Sequence, residues 1–296
     1  MVINKSLGSK TFDVFNIVFL GLFGLLTIYP FWYILIASFN SGADFLRGGV
    51  YFFPRVFTLN NYAEAFKSDQ IVDALMISIQ RTLYGTILSL AFTCMFAYSL
   101  HIRTLPGRTF FVFYFFLTTM VSGGMIPYFL LLRDLGLTKS FQIFIWPTIF
   151  SFFNMILMRT YFDGIGPSLR ESAIIDGAGE FRVLFQIYAP LSTPVIATIA
   201  LFVGVGHWND WFTGAYYLTN LKLMPAATLL QKILTEATAS TRIEVGKETL
   251  TRLQTGTTPQ SLQMAFVMLL TMPIVVVYPF LQKYYVKGVM IGAIKG

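Results

Sequence analysis

The chain has 296 residues, of which 55% are hydrophobic, 17% aromatic and only 12% charged. That charged share is about half of what a soluble globular domain carries, and the hydrophobicity excludes a disordered chain. A soluble fold would need a charged surface, which 31 Phe and so few charges do not supply. Composition therefore points to a polytopic membrane protein.

One cysteine, Cys94, excludes a disulfide framework and a Cys-based metal site. Two histidines, His101 and His207, leave little for metal chemistry, and no metal site is expected. The net charge of +7 is spread along the chain. Without a Lys/Arg run it does not point to nucleic acid, and it fits contact with anionic lipid.

A helix crosses the hydrocarbon core in roughly 20 apolar residues. Charge-free windows of that size predict six spans: 14–37, 82–100 (beginning near Ile71), 109–132, 141–158, 190–208 and 261–282. The expected fold is all-α, a single transmembrane domain over 1–296. The first window is too long for a signal-peptide core and lacks a small-residue cleavage site after it. Pro30, Pro127, Pro147, Pro273 and Pro279 fall within or beside spans, which suggests kinked helices packed in a bundle. An even number of spans puts both termini on one side, and counting Lys and Arg does not settle which side that is.

The stretch 163–194 is hydrophilic but patterned. Pro167 and Ser168 make a helix start, and Gly177 and Gly179 break that helix. A second helix follows, with Phe181, Leu184, Phe185 and Tyr188 spaced to share one face. Two short helices at an angle are expected, either resting on lipid or docking a soluble partner.

The residues here carry a resemblance. Glu171-Ser172-Ala173, three residues, Gly177, nine residues and Ile187-Tyr188-Ala189-Pro190 resemble the E-A-A…G…I-x-L-P loop of ABC importer permeases, with Ser172 for Ala and Ala189 for Leu. Asp176-Gly177-Ala178 is similar to the carbohydrate-importer branch. Ser38-Phe39-Asn40 with Asn61-Tyr62 resembles that branch's first external loop. Ile126-Pro127-Tyr128 with Leu135-Gly136-Leu137 resembles its third span. Trp208-Asn209-Asp210-Trp211 resembles its signature near the end of the fifth span. The tail 282–292 looks like the subgroup that imports complex oligosaccharides.

The resemblance implies a permease subunit of an ATP-driven, binding-protein-dependent importer in the bacterial cytoplasmic membrane, with both termini cytoplasmic. The implied partners are a second homologous permease, two ATPase subunits, an external solute-binding protein, the lipid bilayer and an oligosaccharide. The chain has no G-x-x-x-x-G-K-[ST] phosphate loop, so ATP and Mg would be held by the partner ATPases and the chain is not an enzyme. The loop 166–189 would couple to the ATPase through Glu171, Ser172, Ala173, Asp176, Gly177, Ala178, Phe181, Phe185, Ile187 and Pro190. The face from Phe181 to Tyr188 would pack on the base of the bundle. The tail residues Lys287, Lys295 and Gly296 would touch the ATPase. The loop 213–259 would be external and meet the binding protein.

Polar groups within spans are few. Arg81 and Asn154, with the Trp208, Asn209, Asp210 and Trp211 cluster, are candidates for a substrate pathway. Arg81 has a second reading, pairing with an acidic neighbour near an interface. No catalytic constellation is present. The positive balance is compatible with uronate oligosaccharides such as alginate or pectin fragments, though lipid accounts for it equally well. A secondary transporter of a small polar solute is the alternative, and it would be expected to show internal repeats and intramembrane charges.

Overall fold

A computed structural model describes residues 7–240 and 257–293. Those residues are helical, with a single isolated antiparallel bridge, Asn40 to Phe57, and no strand among them. The principal helices are α1 (Leu7–Ser38), α2 (Gly42–Phe45), α3 (Asn60–Lys67), α4 (Asp69–His101), α5 (Arg108–Met120), α6 (Met125–Asp134), α7 (Phe152–Asp163), α8 (Pro167–Ile175), α9 (Glu180–Val183), α10 (Ala189–Leu191), α11 (Thr193–Asn209), α12 (Phe212–Tyr216), α13 (Ala226–Ser240) and α14 (Pro259–Ala293).

Three helical stretches are long and apolar enough to cross a membrane: Thr11–Ser38, Asp69–His101 and Pro259–Val277. Up to six spans result if each of three bent helix pairs counts as one. The windows 14–37, 82–100 and 261–282 therefore lie in continuous helices, while the other three are broken. The window 109–132 bends by 116° between α5 and α6. Val121 there is extended and Gly124 has φ +84°, so the chain turns where a Cβ would be strained. The window 141–158 opens as short 3-10 turns around Pro147 and bends by 49° into α7. An 86° bend precedes α11.

The described residues form two compact units. The first comprises those within Met1–Asp69 and Ile233–Thr271. Its apolar window on α1 carries no buried residue. Its order comes from polar groups just beyond α1. Asn61 is fully buried and donates to the carbonyls of Ser38 and Asn40, each at 2.9 Å. Asn61 Oδ1 accepts from Ser261 Oγ at 2.8 Å, and Ser261 Oγ accepts from the Thr258 amide at 3.0 Å. Ser38 Oγ shares a 2.7 Å hydrogen bond with Tyr62 OH. Asn40 ties Val56 N and Asp44 into the same knot, and Asn40 and Arg55 together hold the Asp44 carboxyl below its ordinary range. The two stretches that resemble a first external loop thus meet in space.

The second unit comprises the described residues of Gln70–Lys232 and Met272–Gly296. Its main core gathers Cys94, Ala97, Tyr98 and Leu100 of α4 with Met155, Met158 and Phe162 of α7, then Val183, Leu184 and Tyr188, then Val195 and Ile199 of α11. The short helices after α7 are therefore part of the core. The stretch 213–259 is more than a connector: its described part holds α12, α13 and a 3-10 turn at Leu221–Leu223.

Asn61→Ala leaves the carbonyls of Ser38 and Asn40 without their buried donor, while the Ser261 hydroxyl keeps the Thr258 carbonyl. Each stranded group costs about 1–3 kcal/mol, so thermal unfolding of the detergent-purified protein is expected to fall by several degrees. A midpoint equal to wild type would remove Asn61 as the knot of the first unit.

Candidate functional site: the two-helix hairpin and the turn after the fifth predicted span

The hairpin α8–α9 follows α7 directly. Pro167 takes the first helical position, where its missing N–H costs nothing. The helix ends in a Schellman motif. Gly177 has φ +83°. The Gly177 amide donates to Ile174 O at 3.0 Å and the Ala178 amide to Ala173 O at 2.9 Å. Those are the two bonds such a cap requires, and its flanking positions are in hydrophobic contact. Here those positions are Ala173 and Ala178, both partly buried against the core. The spacing Ala173–Gly177–Ala178 is thus the geometry of one tight helix stop.

After Gly179 the chain re-enters a helix at Glu180, and 184–188 widen into a π-turn. Pro190 follows without an N–H to continue an α-helical ladder. The buried face differs from the expected one. Val183, Leu184 and Tyr188 are buried, and Ile187 packs beside them. Phe181 and Phe185, expected on that face, are instead 70% and 50% exposed. Ile175, on α8, is 85% exposed. Glu171, Ser172 and Asp176 are exposed as well. The hairpin therefore offers an apolar and acidic surface outward while its other side is embedded.

Arg170, Glu180 and Tyr98, which the sequence did not single out, join His101 and Tyr188 in fixing the hairpin in place. Arg170 Nε donates to Glu180 Oε2 at 3.2 Å and Arg170 Nη2 to Glu180 Oε1, a two-pronged ion pair between the helices. The Glu180 carboxylate raises the Arg170 pKa above its ordinary value. Tyr98 OH, from the last turn of α4, donates to Glu180 Oε2 at 2.5 Å. His101 pairs with Asp163 at 2.6 Å and with Tyr188 OH at 3.3 Å. The Tyr98, Phe162 and Tyr188 rings meet edge to face between these contacts.

In the N-terminal half of α4, 12 residues after Asp69, Arg81 is 1% exposed. It donates to Asp210 Oδ2 at 2.6 Å and to Asp210 O at 2.9 Å, and lies 4.4 Å over the Phe144 ring. Arg81 and Asp210 thus form an ion pair beside the Trp208–Trp211 stretch. Asp210 Oδ1 also accepts from the Thr213 amide at 3.1 Å, which starts α12. Trp208 lines an apolar cavity of about 360 Å³ with Ile79, Thr82, Thr86, Gly204 and Pro273. Asn209 is exposed, and Trp211 contacts Phe212 and Tyr216. Asn154 sits elsewhere, buried in the first turn of α7 under the Ser151 cap. Among the described residues, no group of three or more His, Cys, Asp or Glu gathers to hold a metal. The Lys287 side chain, Lys295 and Gly296 lie outside the described residues, as do 241–256 of the expected external loop.

The described residues form helices, several of them long and apolar enough to cross a membrane, with a two-helix hairpin packed against their core. No protein-family model matches the chain. It is 38% identical over 290 residues to protein LplC of Bacillus subtilis, covering 97% of this chain and 96% of that one. It is 35% identical over 290 residues to the polygalacturonan/rhamnogalacturonan transport system permease protein YtcP of the same organism, covering 97% and 99%. Its fold superposes with TM-score 0.87 and 31% identity on a chain in the crystal structure of a bacterial ABC transporter involved in the import of the acidic polysaccharide alginate, covering 95% of this chain and 99% of that one. The chain belongs to the family of permease subunits of ABC sugar transport systems. It is a multi-pass membrane protein and a transport component, and ATP hydrolysis belongs to separate ATPase subunits.

Asp210→Ala strands a buried guanidinium and is expected to cost about 3–5 kcal/mol. The double variant Arg81→Met with Asp210→Ala removes the uncompensated charge and should recover much of that loss. Equal destabilisation of the single and double variants, by thermal unfolding in detergent, would count against a coupled pair.

Proposed function

We propose that this chain is one of two homologous permease subunits of a bacterial importer that brings acidic oligosaccharides across the cytoplasmic membrane. The observation that carries the reading is the hairpin 166–189. One side is embedded in the core, and the other presents Glu171, Ile175, Phe181 and Phe185 to solvent. A knob of that kind suits a cleft in a soluble ATPase, whose movements it would pass to the spans. Glu171, Ser172, Ala173, Asp176, Gly177, Ala178, Phe181, Phe185, Ile187 and Pro190 carry the coupling. Of these, Ala173, Gly177, Ala178, Ile187 and Pro190 set its shape.

Docking of the hairpin to a cytoplasmic ATPase puts both termini in the cytoplasm. ATP and Mg are bound by two ATPase subunits. A solute-binding protein delivers sugar at the external face, where 213–259 contributes a surface. Lys287, Lys295 and Gly296 add a tail contact to the ATPase. The cavity beside Trp208 and the Arg81–Asp210 turn belong to the translocation path. Acidic sugars are favoured because two of the similar proteins handle them: a polygalacturonan/rhamnogalacturonan permease and an alginate transporter. The net charge of +7 agrees.

In proteoliposomes holding the complete transporter, its binding protein loaded with a uronate oligosaccharide is expected to stimulate ATP hydrolysis, and a neutral one of equal length to do less. Stimulation by neutral sugar alone would overturn the substrate class. Uptake that needs no ATP would overturn the importer reading. Position 177 gives a graded test. Asn tolerates the left-handed conformation and a β-branched residue does not, so Gly177→Asn should keep more uptake than Gly177→Val, at equal amounts in the membrane. Normal uptake by Gly177→Val would remove the hairpin from coupling.

A further inference from the structure

We propose that α4 is the strut that carries motion from the hairpin to the Trp208–Trp211 turn, and that Glu180 is the positioning residue that fastens the hairpin to it. This rests on the coupling reading of the hairpin given above.

Three observations converge. The first is the helix itself. Among the described helices of span length, α1 contains Pro30 and α14 contains Pro273 and Pro279, whereas α4 runs 33 residues without proline. The remaining predicted spans are bent at breaks of up to 116°. A push on one end of an unbroken helix reaches the other, and a bent span dissipates it in its hinge.

The second is what the C-terminal turn and the N-terminal half of α4 hold. The last turn carries Tyr98 and His101, which bond to Glu180, Asp163 and Tyr188. Arg81 lies 17 residues earlier, about 26 Å along the axis at 1.5 Å per residue. It holds both the carboxylate and the backbone carbonyl of Asp210. One rigid element is thus bonded to the hairpin below and to the sugar-side turn above.

The third is the geometry at Glu180. Val183, Leu184 and Tyr188 already bury the hairpin's inner face. Apolar packing resists separation, but it is not directional and permits sliding and rotation. The Arg170 fork and the Tyr98 hydroxyl are directional. Both Glu180 oxygens are engaged, one of them by Arg170 and Tyr98 together. Glu180 therefore sets the angle between α8 and α9 and ties that angle to α4. Its side chain is 46% exposed, so the bond contributes little to stability. Its value lies in position.

The test uses the complete transporter in proteoliposomes and reads sugar imported per ATP hydrolysed. Tyr98→Phe removes one hydroxyl from a ring that stays packed. Glu180→Gln weakens the fork. Both are expected to assemble with wild-type thermal midpoints while the ratio falls on the order of fivefold. The exchanged pair Arg170→Glu with Glu180→Arg should recover much of the ratio lost in Glu180→Gln. If the ratio stays at wild type in Tyr98→Phe and Glu180→Gln while Gly177→Val is inactive, the strut is overturned and the coupling hairpin stands. If Gly177→Val also imports normally, the coupling reading itself fails. If uptake, hydrolysis and thermal midpoint fall together with the ratio unchanged, Glu180 is structural only and the proposal is overturned.

Discussion

A backbone amide in hydrocarbon has no water to turn to, so every break in a span must be repaired by the protein itself. This constraint orders the whole structure. Where α5 gives way to α6, Gly123 and Gly124 allow a sharp turn. Where the next predicted span begins, short 3-10 turns keep local hydrogen bonds around Pro147. Ahead of α11, the π-turn at 184–188 widens the helix just before Pro190. The breaks concentrate curvature in three helix pairs, and among the described residues the proline-free helix of span length, α4, is left unbroken. A bundle of uniformly kinked helices would spread a displacement among its joints. This one has hinges in some places and a beam in another.

The hairpin combines two kinds of bonding that do different work. The Schellman cap at Gly177 is backbone chemistry, local and stiff, and it closes α8 with two hydrogen bonds. The hydrogen bonds to α4 are side-chain chemistry reaching 82 and 87 residues along the sequence. The first gives the knob its shape and the second gives it an address. Because the aromatic rings of Tyr98, Phe162 and Tyr188 are buried, the polar tips of both tyrosines are held at the edge of the core. There they meet Glu180 and His101 without a buried charge standing alone.

What the sequence made legible follows the range of each interaction. The hairpin's turn was readable because its signal is local: a helix start at Pro167, a left-handed stop at Gly177 and small residues on either side. The continuous helices were readable because hydropathy over a window is all they need. The break at 121–124 was passed over because Ser122, Gly123 and Gly124 carry no charge to interrupt the window. The π-turn at 184–188 departs from the 3.6-residue period that the expected face assumes, and Phe185 within it faces solvent. Phe181, ahead of that turn, is exposed as well. The Arg81–Asp210 pair joins residues 129 apart, and nothing local announces it. Glu180 was missed for the same reason, since its meaning depends on a tyrosine 82 residues earlier.

Gly85 and His207 face each other where α4 meets α11. A Cβ at position 85 would lie 2.3–2.8 Å from three atoms of the imidazole ring. Two helices can come this close only if one lacks a side chain at the crossing. Position 85 is therefore not free to drift on its own. A chain that gains even a methyl at 85 must shrink, turn aside or displace the imidazole at 207. In a set of descendants of this fold, a side chain at 85 should therefore appear only where 207 has lost its imidazole or α4 and α11 have moved apart.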